Sequence, residues 1–405
     1  MRRLILTEGD PATAIPLSQG EAEALSAAEL AVVSREAGSP EWWVSAGTKV
    51  GVARVGSLHV TIRPKVTMDR MVFLMGYARK PTFWRNHAVL LDVEPDLPEA
   101  LAHAFTRLVY GAIEQGLLQG YKTVDDSLPV LRGRIRVVDQ VSRRFGVGLP
   151  LEVIYDDFTI DIAENQILLA AAVRLLRMPG LSAEARQKLQ RLRQQLVGVS
   201  ELRRGSAVPV WQPTRLNARY HAPLHLAELI LAGDSFEQRV GDLEVSGFVF
   251  DMWRIYEDFV TVALRESLAP FGGAASLQHR MHLDEAEAVP MRPDFFWTSL
   301  DGHQVVVDAK YKAEKPAGFP QADLYQMLAY CTVLGLDEGH LVYAKGNDIP
   351  ALHQVVGSGV TIICHTLNLD ASPASLLREV DTLAADLAVV QFGSRRRQDP
   401  SLSRP

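Results

Sequence analysis

Cysteine is nearly absent from this chain of 405 residues. It has two, Cys331 and Cys364, each inside an apolar segment. Two such thiols cannot form a disulfide framework, so both are expected to be reduced core residues of a cytoplasmic protein. Long apolar runs are missing too. The best candidates, ILLAAAVRLL and LHLAELILAG, are interrupted by Arg174 and Glu228. They read as amphipathic helices, and no membrane partner is expected. The opening MRRLILTEGD has arginines but no apolar core, which argues against a secretory signal. GDPATAIP and AKGNDIP lack the glycine–lysine pattern of a P-loop, so the chain is not expected to hydrolyse nucleoside triphosphates itself. No Ser-His-Asp or Cys-His set emerges. Excess positive charge is lacking as well: the net charge of −6 argues against a general nucleic-acid coat but permits a local basic groove.

What is present describes a soluble globular protein of two or three domains. The first seventy residues look β-rich, with GVARVGSLHVTIRPKV alternating around a Gly-Ser turn as a hairpin does. From Met68 the period becomes helical, as in PEALAHAFTRLVYGAIEQGLLQGY and DIAENQILLAAAVRLLRM. Between these helices LPVLRGRIRVVDQV predicts a strand pair or strand-turn bending at Gly133. The expected divisions are a β-rich arm over 1–70, a mainly helical middle domain over 71–240, an α/β domain over 241–392 and a disordered tail over 393–405. In the α/β domain a helix over 251–268 leads to a hairpin, a second helix, two strands and a last helix, implying a mixed sheet flanked by helices.

Chemistry concentrates in RPDFFWTSLDGHQVVVDAKYK. Residues two apart on a strand share a face, so Asp308 and Lys310 project together at the end of a buried run. Antiparallel pairing through SLDGH brings Asp294 near Asp308. Two carboxylates that close repel unless a cation lies between them, and hard oxygen ligands suit Mg²⁺. A lysine beside the metal can hold or help deprotonate an attacking water and offset charge on a phosphate. A surface hairpin with an ordinary Asp–Lys pair is the alternative; the preceding Pro-Asp, the buried strand and the neighbouring helices favour a site.

At about 100° per residue, Met252, Trp253, Tyr256, Phe259, Val260, Ala263 and Leu264 form an apolar face, with Asp258 opposite. Glu257 falls at its edge, either a rim residue or a buried acid with a partner, and Glu266 shares that arc. Asp323, Gln326 and Tyr330 make one polar stripe on a later helix. They either hydrogen-bond a helix to a sheet or orient a metal water or a phosphate. From Arg186 to Arg219 eight basic residues (Arg186, Lys188, Arg191, Arg193, Arg203, Arg204, Arg215, Arg219) face one acid, Glu201. They are a solvated helix face and loop, or a surface for phosphates or an acidic partner. His221 and His225 are four apart, but Pro223 is expected to break the helix that zinc binding would need. His279 and His282 read as a surface loop, and Trp42–Trp43 as core or interface.

These segments resemble the PD-(D/E)xK nuclease superfamily and, more narrowly, the McrC family, the nuclease subunits of McrBC modified-cytosine restriction systems. RPDFFW, VVVDAKYK and ADLYQMLAY carry the likeness. DMWRIYEDFV, YDDFTIDIAENQILLAA, LRGRI and LHVTIRPKV extend it in the same order over most of the chain. The resemblance implies a restriction-endonuclease-like domain in which Asp294, Asp308 and Glu257 bind Mg²⁺. Lys310 would be the catalytic lysine, and Gln326 and Tyr330 the motif after the third strand. It implies methylated double-stranded DNA as substrate, and as partner a McrB-like hexameric AAA+ GTPase stimulated by the chain's N-terminal half. An adaptor that stimulates such a ring without cutting is the rival expectation. Arg132, Arg134 and Arg136 are candidates for ring or DNA contact by charge.

Overall fold

The alternation around Gly56 closes as an antiparallel hairpin. Strands Lys49–Val55 and Leu58–Arg63 pair from Val55↔Leu58 outward, with Gly56 at φ +55°. The structure, a computed structural model, describes residues 2–35, 41–85, 96–144, 148–203, 206–240, 243–313, 321–345 and 351–389. The expected disordered tail and Arg204 lie outside the described residues. The chain is mixed α/β and divides into two compact units, residues 1–69 with 89–250 and residues 70–88 with 251–405.

In the first unit the hairpin is the middle of a five-stranded sheet. Arg2–Thr7 lies parallel to Leu58–Arg63 on one side, and Leu243–Asp251 with Asp234–Val240 continues it on the other. This sheet crosses the boundary expected at 240/241. The physical reason is that Val50, Val52, Ala53 and Val55 are all buried, so their strand needs neighbours at both edges and cover on both faces. Gly51, at φ +133°, makes the close pairing possible, because a Cβ there would lie 2.3 Å from the Phe248 carbonyl oxygen. Trp42–Ala46 forms a separate small sheet with Thr13–Ile15 and Ala31–Ser34, and Trp43 is exposed.

Four helices of this unit, Leu97–Ile113, Ala163–Arg177, Ala183–Gln195 and His221–Ala232, pack on one another through Leu168, Leu175, Leu189, Leu192 and Ile230. Between the first and second of these helices in the sequence comes a largely exposed three-stranded sheet of Gly120–Leu128, Leu151–Thr159 and Arg134–Ile135. The strand pair predicted at LPVLRGRIRVVDQV is thus only a two-residue strand, followed by the helix Val137–Arg144. Gly133 turns the chain at φ +72°, where a Cβ would meet the Ile154 carbonyl oxygen at 2.3 Å. Pro223 does not break its helix either. It lies in the first turn of His221–Ala232, where its missing N–H is not needed.

The second unit is built on a six-stranded sheet. Its order is Ala274–Leu277, Phe295–Thr298, Gln304–Ala313, Glu338–Lys345, Thr361–Thr366 and Ala351–Gln354. The central three strands run parallel and the outer pairings are antiparallel. Ala274–Leu277 and Ala351–Gln354 were not expected; both are four-residue edge strands, too short for periodicity to mark. Helix Met252–Leu268 packs against Gln304–Ala313 and against helix Pro373–Ala388, and helix Gln321–Leu334 packs on Glu338–Lys345. Trp253, expected on the buried face, is 40% exposed and lies beside Arg254, while Met252, Tyr256, Phe259, Val260, Ala263 and Leu264 are buried. Cys331 and Cys364 are both buried, and neither is in a disulfide. Among the described residues no helix is long and apolar enough to cross a membrane.

Candidate active site

Three neighbouring strands of the second unit converge on one acidic point. The hairpin register runs Phe295↔Val307, Phe296↔Val306, Trp297↔Val305, so the next position outward sets Asp294 opposite Asp308. Both carboxylates are buried. They are held in different ways. Asp294 accepts from Gln278 Nε2 at 2.9 Å through Oδ1 and from the Ala309 backbone N–H at 3.0 Å through Oδ2. Asp308 instead forms an ion pair with Lys310, two residues on along the same strand face.

From Lys310 a hydrogen-bonded chain leads onto the helix Gln321–Leu334. Lys310 Nζ donates to Gln326 Oε1 at 3.0 Å, and Gln326 Nε2 donates to the Tyr330 hydroxyl at 2.7 Å. The i, i+4 spacing of Gln326 and Tyr330 makes that second bond possible on one helix face. Asp323, from the same stripe, is buried and accepts from the Tyr343 hydroxyl at 3.2 Å. That side chain ties helix to sheet, and Gln326 and Tyr330 face the site.

The electrostatics follow from burial. Asp294 is pushed up by burial and then by the Asp308 charge, partly offset by the Ala309 N–H and Lys310. Glu257, on helix Met252–Leu268, is raised to about 8 by burial, with Asp294 and Asp308 adding to the shift. For Lys310 burial acts downward, but the charge and hydrogen bond of Asp308 outweigh it and keep the ammonium protonated. Tyr330 is raised, mainly by burial and then by Asp308. Like charges are therefore crowded here at a cost, a pattern more typical of a site than of a stabilising network.

The donor set fits a hard cation. Every acidic group at this point offers oxygen, and a cation would relieve the repulsion between Asp294 and Asp308. Among the described residues no three His, Cys, Asp or Glu side chains converge into a ready metal cage. The arrangement is an open two-carboxylate one, of the kind Mg²⁺ uses when it keeps waters and takes up phosphate oxygens. Glu257 reaches these carboxylates through its charge.

All six sequence-predicted residues thus lie in one unit and one electrostatic neighbourhood. Gln278 was missed. It follows the edge strand Ala274–Leu277, and the register Leu277↔Phe295 puts it beside Asp294; the short AASLQH pattern was the only signal. His279 stacks on Phe296, and His282 is exposed. In the first unit, His221 meets Asn217 at 2.8 Å and His225 meets Glu228 at 3.1 Å, with Trp211 beside both rings. Arg132 pairs with Asp157 and lies 3.9 Å from the Tyr155 ring centroid, and Arg136 pairs with Asp125 and Asp139.

A family model described as McrBC 5-methylcytosine restriction system component matches residues 44–344. No curated protein matches the chain. A solved structure of Thermococcus gammatolerans McrB AAA+ hexamers with bound McrC, a half-complex from a tetradecameric assembly, aligns with a TM-score of 0.57 at 17% identity. That alignment covers 95% of this chain and 100% of the other. A cryo-EM structure of the Thermococcus gammatolerans McrBC complex aligns with a TM-score of 0.39 at 19% identity, over 66% of this chain and 88% of the other.

Proposed function

This chain belongs to the McrBC 5-methylcytosine restriction system component family, and on that premise we propose that it is the Mg²⁺-dependent DNA endonuclease subunit of a modification-dependent restriction complex. Its second unit would be a PD-(D/E)xK, restriction-endonuclease-like domain, and the reaction phosphodiester hydrolysis in methylated double-stranded DNA. The observation that carries the reading is the convergence of Asp294, Asp308, Lys310, Gln326 and Tyr330 at one strand end, with Glu257 raised beside them.

Asp294 and Asp308 would hold the Mg²⁺, and Glu257, expected as a third ligand, would act on the pair through its charge. The ion would supply charge stabilisation at the scissile phosphate and a more acidic water. Gln278 and the Ala309 N–H orient Asp294. Lys310, protonated at neutral pH, acts as a donor and a positive charge, suited to a phosphate oxygen or to holding the attacking water rather than to removing its proton. Gln326 fixes the Lys310 ammonium, and Tyr330 in turn fixes the Gln326 amide.

The similar fold solved with McrB AAA+ hexamers supports a McrB-like AAA+ ring as partner. A specific observation also favours the adaptor role, alone or combined with cutting. The sheet and helix described between 120 and 159 leave Tyr121, Val130, Leu131, Val137, Val138, Leu149 and Phe158 exposed, a concentration of large apolar side chains suited to a protein partner. The test is cleavage of methylated and unmethylated plasmid with a McrB-like partner, GTP and Mg²⁺. Wild type should cut methylated DNA and Lys310→Ala should not. If both cut equally, the site lies elsewhere; if neither cuts while GTP turnover rises, the adaptor reading replaces the nuclease one.

A further inference from the structure

The first unit contains a cleft of about 1360 Å³ whose walls are unusually basic. Six arginines and His59 line it, against Glu201 and Glu244, in a chain whose net charge is −6. One wall is the five-stranded sheet. The registers Arg3↔His59 and Arg54↔His59 set three basic side chains in one row across three adjacent strands. Glu244, Ser246 and Phe248, alternate residues of the next strand, continue that face. The opposite wall is the helix Ala163–Arg177, which presents Ala170, Val173, Arg174 and Arg177 at i, i+3, i+4 and i+7. Arg186 and Arg203 come from the helix and loop that follow.

Four of these arginines have no side-chain partner among the described residues. Among the described residues the Arg3, Arg54, Arg177 and Arg203 side chains make no hydrogen bond or ion pair. Arg186 donates to the Leu176 carbonyl, and Arg174 donates to the Gly233 carbonyl. Glu201, one of the two acids, is engaged by Arg193 at 2.7 Å. The positive field is felt locally: burial and then Arg3 and Arg54 hold His59 below its ordinary value.

We propose that this cleft grips the phosphodiester backbone of a nucleic acid, at a site in the first unit separate from the acidic site of the second. Its volume exceeds the roughly 300–1,000 Å³ of small-molecule pockets, which favours a polymer over a nucleotide. Guanidinium groups spread along two facing walls suit successive phosphates better than one compact anion. The inference deepens the proposed function by naming where DNA is held, and it rests on that reading for the identity of the polymer.

The experiment is fluorescence anisotropy with the full-length Asp308→Asn chain in EDTA, so that cleavage plays no part. The probes are labelled oligonucleotides, duplex in one arm and single-stranded in the other, over a salt series, with polyglutamate as competitor. Arg177→Glu/Arg203→Glu changes two exposed residues, and Arg378→Glu on the last helix is the charge control. The double variant should weaken binding at least about tenfold and flatten the log Kd against log salt slope by about two, with the control near wild type. The arm that binds more tightly identifies duplex or single strand. If wild type binds but the double variant binds equally well, the cleft is wrongly assigned while a DNA-cutting role stands. If polyglutamate binds in a cleft-dependent way and neither oligonucleotide does, the cleft takes an acidic peptide and the proposal falls. Loss of plasmid cleavage in Lys310→Ala with oligonucleotide binding retained would keep the two readings apart.

Discussion

Asp294 and Glu257 are carboxyls kept above their ordinary range by burial and by a neighbouring carboxylate, Asp308 for Asp294 and chiefly Asp294 for Glu257. The folded chain therefore holds protons that the unfolded chain has released. Stability from these groups is full below the unfolded values near about 4 and is lost as pH rises through the folded ones, for Glu257 about 8. Asp294→Asn removes one of the repelling charges and keeps an oxygen for Gln278. Without metal at about pH 8 it should be more stable than wild type by on the order of 1 kcal/mol, the gap closing near about pH 5. Mg²⁺ should raise the melting temperature of wild type and leave the variant unmoved. A variant less stable than wild type at the higher pH would mean that these carboxylates are not crowded.

At the scale of elements, two parallel strands carry a buried histidine pair. His340 Nδ1 and His365 Nε2 are 3.1 Å apart, with His303 acting on His340 and Asp386 on His365. Burial lowers His340 to about 3 and His365 to about 4, with His365 and His303 adding to the drop in His340. Both are neutral in the folded chain while the unfolded chain protonates below about 6.5. Their stability contribution is therefore complete above that value and is lost as pH falls toward the folded values, by about 1.4 kcal/mol per pH unit for each histidine. Urea melts between about pH 7 and 5 should show this slope, and His340→Gln should reduce it. A slope unchanged by the substitution would assign the acid sensitivity to other groups. In the other sheet, Gly51→Ala places a methyl 2.3 Å from the Phe248 carbonyl oxygen at a backbone angle that side chains rarely adopt. It should cost about 3 kcal/mol or more in denaturant unfolding. A loss under about 1 kcal/mol would mean that the two strands can separate freely there.

For the whole molecule, the sheet topology changes how ring stimulation must be probed. Removing residues 1–70 would take away Arg2–Thr7, Lys49–Val55 and Leu58–Arg63, three strands of the five-stranded sheet, so its outcome would report folding. Val137→Asp/Val138→Asp instead alters side chains that are 65% and 83% exposed. The chain should keep its melting temperature and lose stimulation of a McrB-like GTPase, measured as GTP turnover. Full stimulation by this variant would exclude the sheet and helix described between 120 and 159 as the ring contact.

The sequence by itself determined the features that depend on near neighbours. Period-two alternation set the Gly56 hairpin, the common face of Asp308 and Lys310, and the approach of Asp294 through a short turn. Period 3.6 set the long helices and the Gln326–Tyr330 stripe. Tertiary structure decided everything that depends on distant pairing. Leu243–Asp251 joined the N-terminal sheet because a strand buried on both faces needed a second neighbour. Gln278 reached Asp294 through edge-strand register, and Arg3, His59 and Arg54 became one row only when three strands aligned. Trp253 stayed 40% exposed on an apolar arc, because the described residues do not bury that part of the helix surface. Local chemistry is written in adjacent residues, whereas strand partners are chosen by the burial of the whole sheet.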